Sequence, residues 1–158
     1  MTLHIEDMAK EIYSELGPGY SERVYHNAIE VYLRDLKMNY ESERNILVYY
    51  KGHVVGEVRA DIVINGRTVL ELKVVKALNE QCEIQARNYL RLTGLRVAYL
   101  INFPPYCDRE VEVRKIEIGP SEEELSSEFG KILAHHRSVS EDLEPLLTKD
   151  PELRLDEI

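Results

Sequence analysis

Three residues of this chain have the types and spacing that chemistry needs: Asp61, and then Glu71 and Lys73 on either side of Leu72. Residues two apart on a strand share a face, so Glu71 and Lys73 point the same way. A carboxylate beside an ammonium suits metal-assisted hydrolysis of a phosphodiester. The carboxylate can hold a hard cation, and the ammonium can stand beside the water or phosphate that the cation polarises. The bland alternative is a solvated strand face, where an exposed Glu–Lys pair adds little stability.

These residues must be positioned by a β-hairpin. Val58, Ala60, Ile62 and Ile64 alternate with Glu57, Arg59, Asp61 and Val63. Past Asn65-Gly66, Leu70, Leu72 and Val74 alternate with Val69, Glu71, Lys73 and Val75. Even positions are apolar on both arms, so both sets are expected to face one core. A strict two-residue Asn-Gly turn would pair Ile64 with Arg67 and set Asp61 against Leu70, which puts Asp61 and Glu71 on opposite faces. One core face requires the other parity, from an odd-length loop ending on Gly66 or a bulge nearby. With that parity Asp61, Glu71 and Lys73 share the non-core face.

At 158 residues the chain is long enough for one domain with a real core. Met1-Thr2-Leu3-His4 leads into charged residues, unlike a signal peptide, and no apolar run approaches a membrane span. Cys82 and Cys107 lack metal-ligand spacing and make no disulfide framework, which suits a reducing, cytoplasmic setting. Both are expected to be buried or partly buried small apolar residues. Two cysteines also exclude a four-cysteine iron–sulfur cluster within one chain.

The net charge of −9 argues at first sight against a nucleic-acid partner. It is unevenly placed. From Ser121 to Ile158 there are eleven acidic and four basic residues, a balance of −7, which leaves −2 for residues 1–119. The body is nearly neutral, and some of its acids would be metal ligands.

Around the hairpin the elements follow from periodicity. Leu3 to Leu16 has helical spacing and is broken by Gly17-Pro18-Gly19. Ser21 can cap a second helix, with Val24, Tyr25, Ala28, Val31, Tyr32 and Leu36 on its apolar side. Tyr25 is expected in the core, and Gly17 and Gly19 are expected to be turn residues. A strand near 42–50 and a turn at Lys51-Gly52-His53 precede the hairpin. Asn79 to Thr93 is helical and stopped by Gly94; Arg96 to Phe103 is a buried strand, and the helix between is a natural crossover to a parallel strand. Val111 to Ile118 is a last strand whose apolar parity shifts, which predicts a bulge or an edge. Past Gly119-Pro120 the composition becomes acidic. Ser121-Glu122-Glu123-Glu124 is a helix start, and the rest is a short helix or an acidic tail.

Three further features join the hairpin. Gly19-Tyr20-Ser21-Glu22-Arg23-Val24-Tyr25 fits G-x-x-E-x-x-Y, and Gln85-Ala86-Arg87-Asn88-Tyr89 fits Q-x-x-x-Y on the helix after it. Thr93-Gly94-Leu95, then a strand ending Ile101-Asn102-Phe103, completes the set. Together they resemble the GxxExxY family, a branch of the PD-(D/E)XK nuclease-like superfamily, over roughly residues 5–118. The resemblance implies a restriction-endonuclease-like α/β core, a mixed sheet flanked by helices in the order ααβββαβ(β). It does not cover the C-terminal residues; with the composition shift past Gly119-Pro120, the domain is expected at 1–119 and 120–158 is an acidic helical extension or tail. By position, Asp61 and Glu71 would ligate Mg2+ or Mn2+ with the Leu72 carbonyl, and Glu22 would be an outer or direct ligand. Lys73 would orient the attacking water or stabilise phosphate charge. Gln85 and Tyr89 would position the lysine, the water or the substrate phosphate.

Some neighbours are open to two readings. His26, one turn from Glu22, could reach the cleft, although a lone helical histidine is ordinarily structural. Arg87 could meet phosphates or lie on a solvated face. Glu22 suits the first turn of a helix for its dipole alone.

The function that follows is a metal-dependent nuclease acting on DNA with water as nucleophile, leaving a 5′-phosphate. A protein partner could recruit it, and a homodimer is expected, since cutting a duplex often needs two sites. The alternatives are a catalytically silent adaptor of the same fold that binds nucleic acid or protein, and a structural subunit of a larger assembly.

Overall fold

The computed structural model describes residues 3–119. The expected C-terminal extension or tail lies outside the described residues. Within them the order is α1 (Ile5–Leu16), α2 (Glu22–Asp35), β1 (Tyr40–Tyr50), β2 (His53–Ile64), β3 (Thr68–Lys73), α3 (Glu80–Thr93), β4 (Val97–Asn102) and β5 (Glu112–Glu117). The five strands form one mixed sheet in the order β1-β2-β3-β4-β5. Only β3 and β4 are parallel, joined through α3; the other neighbours are antiparallel. This is the α/β architecture expected from the sequence.

The hairpin has the expected parity by a slightly different loop. Ile64 pairs with Thr68, Val63 with Val69 and Ile62 with Leu70. The loop is therefore Asn65-Gly66-Arg67, odd in length but ending on Arg67 rather than Gly66. Asn65 and Gly66 both adopt positive φ, 52° and 63°, and the Arg67 N–H donates to the Ile64 carbonyl at 3.0 Å. That is the tight turn Asn-Gly favours, with Arg67 as one extra residue that restores the register.

The sheet is packed on both faces. On one side Ile62, Ile64, Leu70, Leu72, Ile101 and Phe103 bury against Met8, Ala9 and Ile12 of α1 and Tyr25, Ile29 and Leu33 of α2. On the other, Val63, Val69, Ala98, Leu100 and Ile116 bury against Ala86, Tyr89 and Leu90 of α3. The single-core expectation is thus corrected. Ala60 packs in the α3 cluster with Val58 beside it, apart from Ile62 and Ile64. The physical reason lies in the pairing. β3 accompanies β2 only over Ile62–Ile64, and Glu43, in the partner strand opposite Asp61, has φ 53°. From Asp61 outward β2 bends away with β1, and its alternation no longer refers to the same face.

Other expectations resolve in detail. Ser21 stands at the α2 N-cap, but its side chain makes no capping bond; its carbonyl accepts the Val24 N–H instead. Asn79 does cap α3, accepting from the Cys82 N–H at 3.1 Å, and Gly94 closes the helix in the left-handed region, φ 71°. β5 pairs with β4 in unbroken register at the sheet edge, so the parity shift marks an edge and not a bulge. Cys82 is half-buried, whereas Cys107 is exposed on the loop before β5, which corrects the expectation for it.

Tyr25 is fully buried, stacked on Phe103 with centroids 4.3 Å apart, and its hydroxyl donates to the Gly17 carbonyl at 2.7 Å. Gly17 has φ 76°, which a side chain would strain. Tyr25→Phe is expected to lower unfolding free energy by about 1 kcal/mol, measured by urea titration, since only that hydrogen bond is removed. Buried Asn102 ties the segment after Lys73 to β4. Its Oδ1 accepts from the Val75 N–H and its Nδ2 donates to the Val75 carbonyl, each at 2.9 Å. Asn102→Ala is expected to be worse by the same measurement, about 2 kcal/mol, because two backbone hydrogen bonds are lost at once from a side chain that is itself buried.

Candidate active site

A cleft of about 310 Å³ is lined by Glu22, Glu57, Val58, Arg59, Asp61, Glu71, Lys73, Gln85 and Tyr89. It gathers residues from α2, β2, β3 and α3. Glu22 is the first residue of α2, Asp61 sits where β2 turns away from β3, and Gln85 and Tyr89 are one turn apart on α3. Glu71 and Lys73, two apart on the last residues of β3, share a face.

Glu71 is only 2% exposed. The face expected to be non-core is covered by α3, so this carboxylate is not on a solvated surface. Burial, then the negative charges of Asp61 and Glu22, push its pKa from the ordinary 4.5 up to about 8, against the opposing pull of Lys73. Lys73 Nζ lies 3.8 Å from Glu71 Oε2. Glu22 is also raised, by desolvation first and Asp61 second.

Asp61 is oriented from two sides. Its Oδ2 accepts the Leu72 N–H at 2.7 Å, and its carbonyl lies 3.1 Å from His26 Nε2. His26 is buried behind the cleft, outside its lining. Its Nε2 is also 3.3 Å from Ser42 Oγ, and its Nδ1 is 3.7 Å from Glu30 Oε1. The structure therefore sets His26 against the backbone of Asp61 and not at the open site. Arg87 is likewise away from the lining; its guanidinium reaches the Glu117 carbonyl of β5 at 3.5 Å. Tyr89 is buried, and its hydroxyl has no hydrogen-bond partner among the described residues. Burial raises its pKa, opposed by Arg44 and assisted by Glu41 and Glu71.

Arg59 was missed in sequence, although it lies two residues before Asp61 and alternation would have set both on one face. Its guanidinium is 3.8 Å from Glu43, which also pairs with Arg23 at 2.6 Å. Arg59 adds a second cation to a cleft otherwise served by Lys73.

The donor set fits a hard divalent cation. Glu22, Asp61 and Glu71 offer oxygen ligands, and their mutual repulsion is what a cation would relieve. Among the described residues no three carboxylate, imidazole or thiol groups stand close enough together to hold a metal ion. An ion that keeps several of its waters needs only two carboxylates.

A family model described as the PD-(D/E)XK nuclease superfamily matches residues 1–116. No curated protein matches this chain. Among solved structures, the crystal structure of SSO0001 is 24% identical, with a TM-score of 0.49, over 63% of this chain and 51% of that one. The chain thus spans about half the length of that protein. The alkaline exonuclease LHK-Exo from Laribacter hongkongensis is 14% identical, with a TM-score of 0.37, over 92% of this chain and 89% of that one.

Proposed function

This chain belongs to the PD-(D/E)XK nuclease superfamily, and from that premise we propose that its cleft hydrolyses phosphodiester bonds of DNA. The observation that carries the reading is the convergence of Glu22, Asp61, Glu71, Lys73, Gln85 and Tyr89 from four elements onto one cleft. Gly19, Glu22 and Tyr25, with Gln85 and Tyr89, support placing it in the GxxExxY branch. On the same reading the nuclease domain would span 1–119, with the family match over residues 1–116 in support.

Asp61 and Glu71 would hold Mg2+ or Mn2+, with the Leu72 carbonyl and Glu22 as further oxygens. Such an ion lowers the pKa of a bound water and offsets charge on the phosphate. The Leu72 N–H holds the Asp61 carboxylate in one orientation. Lys73, beside Glu71, donates to the attacking water or to a phosphate oxygen. The Gln85 amide lines the same cleft, and the buried Tyr89 hydroxyl, without a hydrogen-bond partner among the described residues, stands in its wall behind it. The water oxygen bonds to phosphorus, the bond to the 3′ oxygen breaks, and that oxygen leaves with a proton. The products are a 5′-phosphate and a 3′-hydroxyl.

The test is cleavage of labelled single-stranded, duplex, nicked and branched DNA with magnesium, manganese or EDTA. Cutting with either metal and none in EDTA is expected. No cutting on any substrate would favour a silent adaptor of the same fold. Whether the protein works as a homodimer or with a recruiting partner is answered by sedimentation across a concentration series.

A further inference from the structure

We propose that His26 is a positioning residue for the cleft: it holds the main chain of Asp61 where the sheet forks, and ties that strand to the helix that carries Glu22. This deepens the nuclease reading and rests on it for the role of Asp61.

The fork leaves two backbone groups in need of partners. β2 accompanies β3 only as far as Ile62↔Leu70, and the β1–β2 ladder passes from Ser42↔Ile62 to Arg44↔Ala60. Asp61 is the residue skipped on both sides, and Glu43 across from it has φ 53°. Past Leu70, β3 loses its β2 partner, and Leu72 is fully buried there. A buried backbone group without a partner is costly, so something else must meet each of them. The Leu72 N–H is met by Asp61 Oδ2 at 2.7 Å. The Asp61 carbonyl is met by His26 Nε2 at 3.1 Å.

The contact fixes where the ring carries its hydrogen. A carbonyl only accepts, so Nε2 donates. Ser42 Oγ, 3.3 Å from the same nitrogen, is a second acceptor. One atom of α2 therefore joins β1 and β2 at the fork. The other ring nitrogen gains little. Nδ1 is buried with no hydrogen-bond partner among the described residues, and Glu30 Oε1 stands 3.7 Å off. An apolar side chain of similar size would fill this position without leaving a nitrogen unmet. What the imidazole supplies here is the Nε2 donor.

Both ends of the contact belong to the cleft. Glu22 and His26 are one turn apart on α2, at i and i+4, and so share a helix face. Glu22 lines the cleft, while His26 stands behind it against Asp61. The His26–Asp61 bond thus sets the separation of the Glu22 and Asp61 carboxylates. Asp61 is held at its main chain by His26 and at Oδ2 by Leu72, which leaves Oδ1 for a cation. Ligands fixed before the ion arrives bind it more tightly, and losing such a support weakens metal binding roughly 10- to 100-fold.

The experiment uses the full chain and no DNA. His26→Leu removes the donor at similar size. His26→Gln can place an amide N–H where Nε2 stands, and His26→Asn carries the same amide one carbon short of it. Exchange of the Leu72 amide is read by NMR in EDTA, and Mn2+ affinity by calorimetry. In His26→Leu and His26→Asn the Leu72 amide is expected to exchange at least about 10-fold faster than in wild type, with Val69 and Leu70 on the same strand changing less than about 3-fold. Mn2+ affinity should fall at least about 10-fold in those two variants and less than about 3-fold in His26→Gln. If His26→Leu does not fold, the Gln and Asn variants decide alone, since they differ only in reach. Wild-type Leu72 exchange and Mn2+ affinity in His26→Asn would overturn the proposal. So would equal acceleration at Val69, Leu70 and Leu72, the mark of a side chain that only supports the fold, or a Gln variant as impaired as the Asn variant. A wild type that binds no Mn2+ would count against the metal site itself, and Leu72 exchange would still decide the role of His26.

Discussion

Glu71→Gln and Lys73→Ala are each expected to slow DNA cleavage by at least about 10³-fold, with DNA affinity nearly unchanged. The two losses should differ in kind. Glutamine keeps the shape of Glu71 but removes a charge on which a divalent ion would depend. Its loss should be partly restored by raising the metal concentration. Lys73 touches Glu71 yet is no ligand, so metal cannot substitute for it. What disappears with Lys73 is a positioned donor at the water or phosphate, a difference felt mainly in the transition state. Single-turnover rates across a magnesium titration would separate the two. Cleavage that persists in both variants would remove this cleft as the active site.

The same Glu71→Gln change is expected to stabilise the metal-free protein on the order of 5 kcal/mol at pH 9 and by less than about 1 kcal/mol at pH 5. Glu71 has its folded pKa raised from 4.5 to about 8. Between those values the folded state binds more protons at this site than the unfolded state. Unfolding free energy therefore falls as pH rises through that window, and levels off above about pH 8. At pH 5 the wild-type carboxyl is neutral in the fold and resembles glutamine. At pH 9 it is charged, buried and flanked by Asp61 and Glu22, at about 1.4 kcal/mol per tenfold of proton affinity. Urea titrations in EDTA at the two pH values measure it. A stabilisation that did not grow with pH would show that Glu71 is charged without difficulty in the empty fold. A variant that folds better and cuts worse is what a strained functional site leads one to expect.

How far this was legible in the chain depends on the range of the interaction. Alternation is local, and it determined that Asp61 and Glu71 needed an odd loop, which Asn65-Gly66-Arg67 supplies. Breakers and caps are local too, and they determined the order of helices and strands, with Asn79 and Gly94 bounding α3. The crossover length required β3 and β4 to be parallel, as they are. The resemblance to the GxxExxY family singled out Glu22, Gln85 and Tyr89, and the fold brings them to one cleft with Asp61.

Only the tertiary structure decided what covers each face. Glu71 and Lys73 read like an exposed pair because a two-residue period cannot report that α3 will lie over them. Ala60 and Ile62 have the same parity but enter different cores, because β3 stops accompanying β2 beyond Ile62 and the strand bends. His26 and Arg87 sit on helices that serve the cleft, yet one turns to the Asp61 backbone and the other to β5. Which side of a helix meets a distant strand is set by packing between segments far apart in the chain. No local pattern carries that information, and so the fold alone decided it.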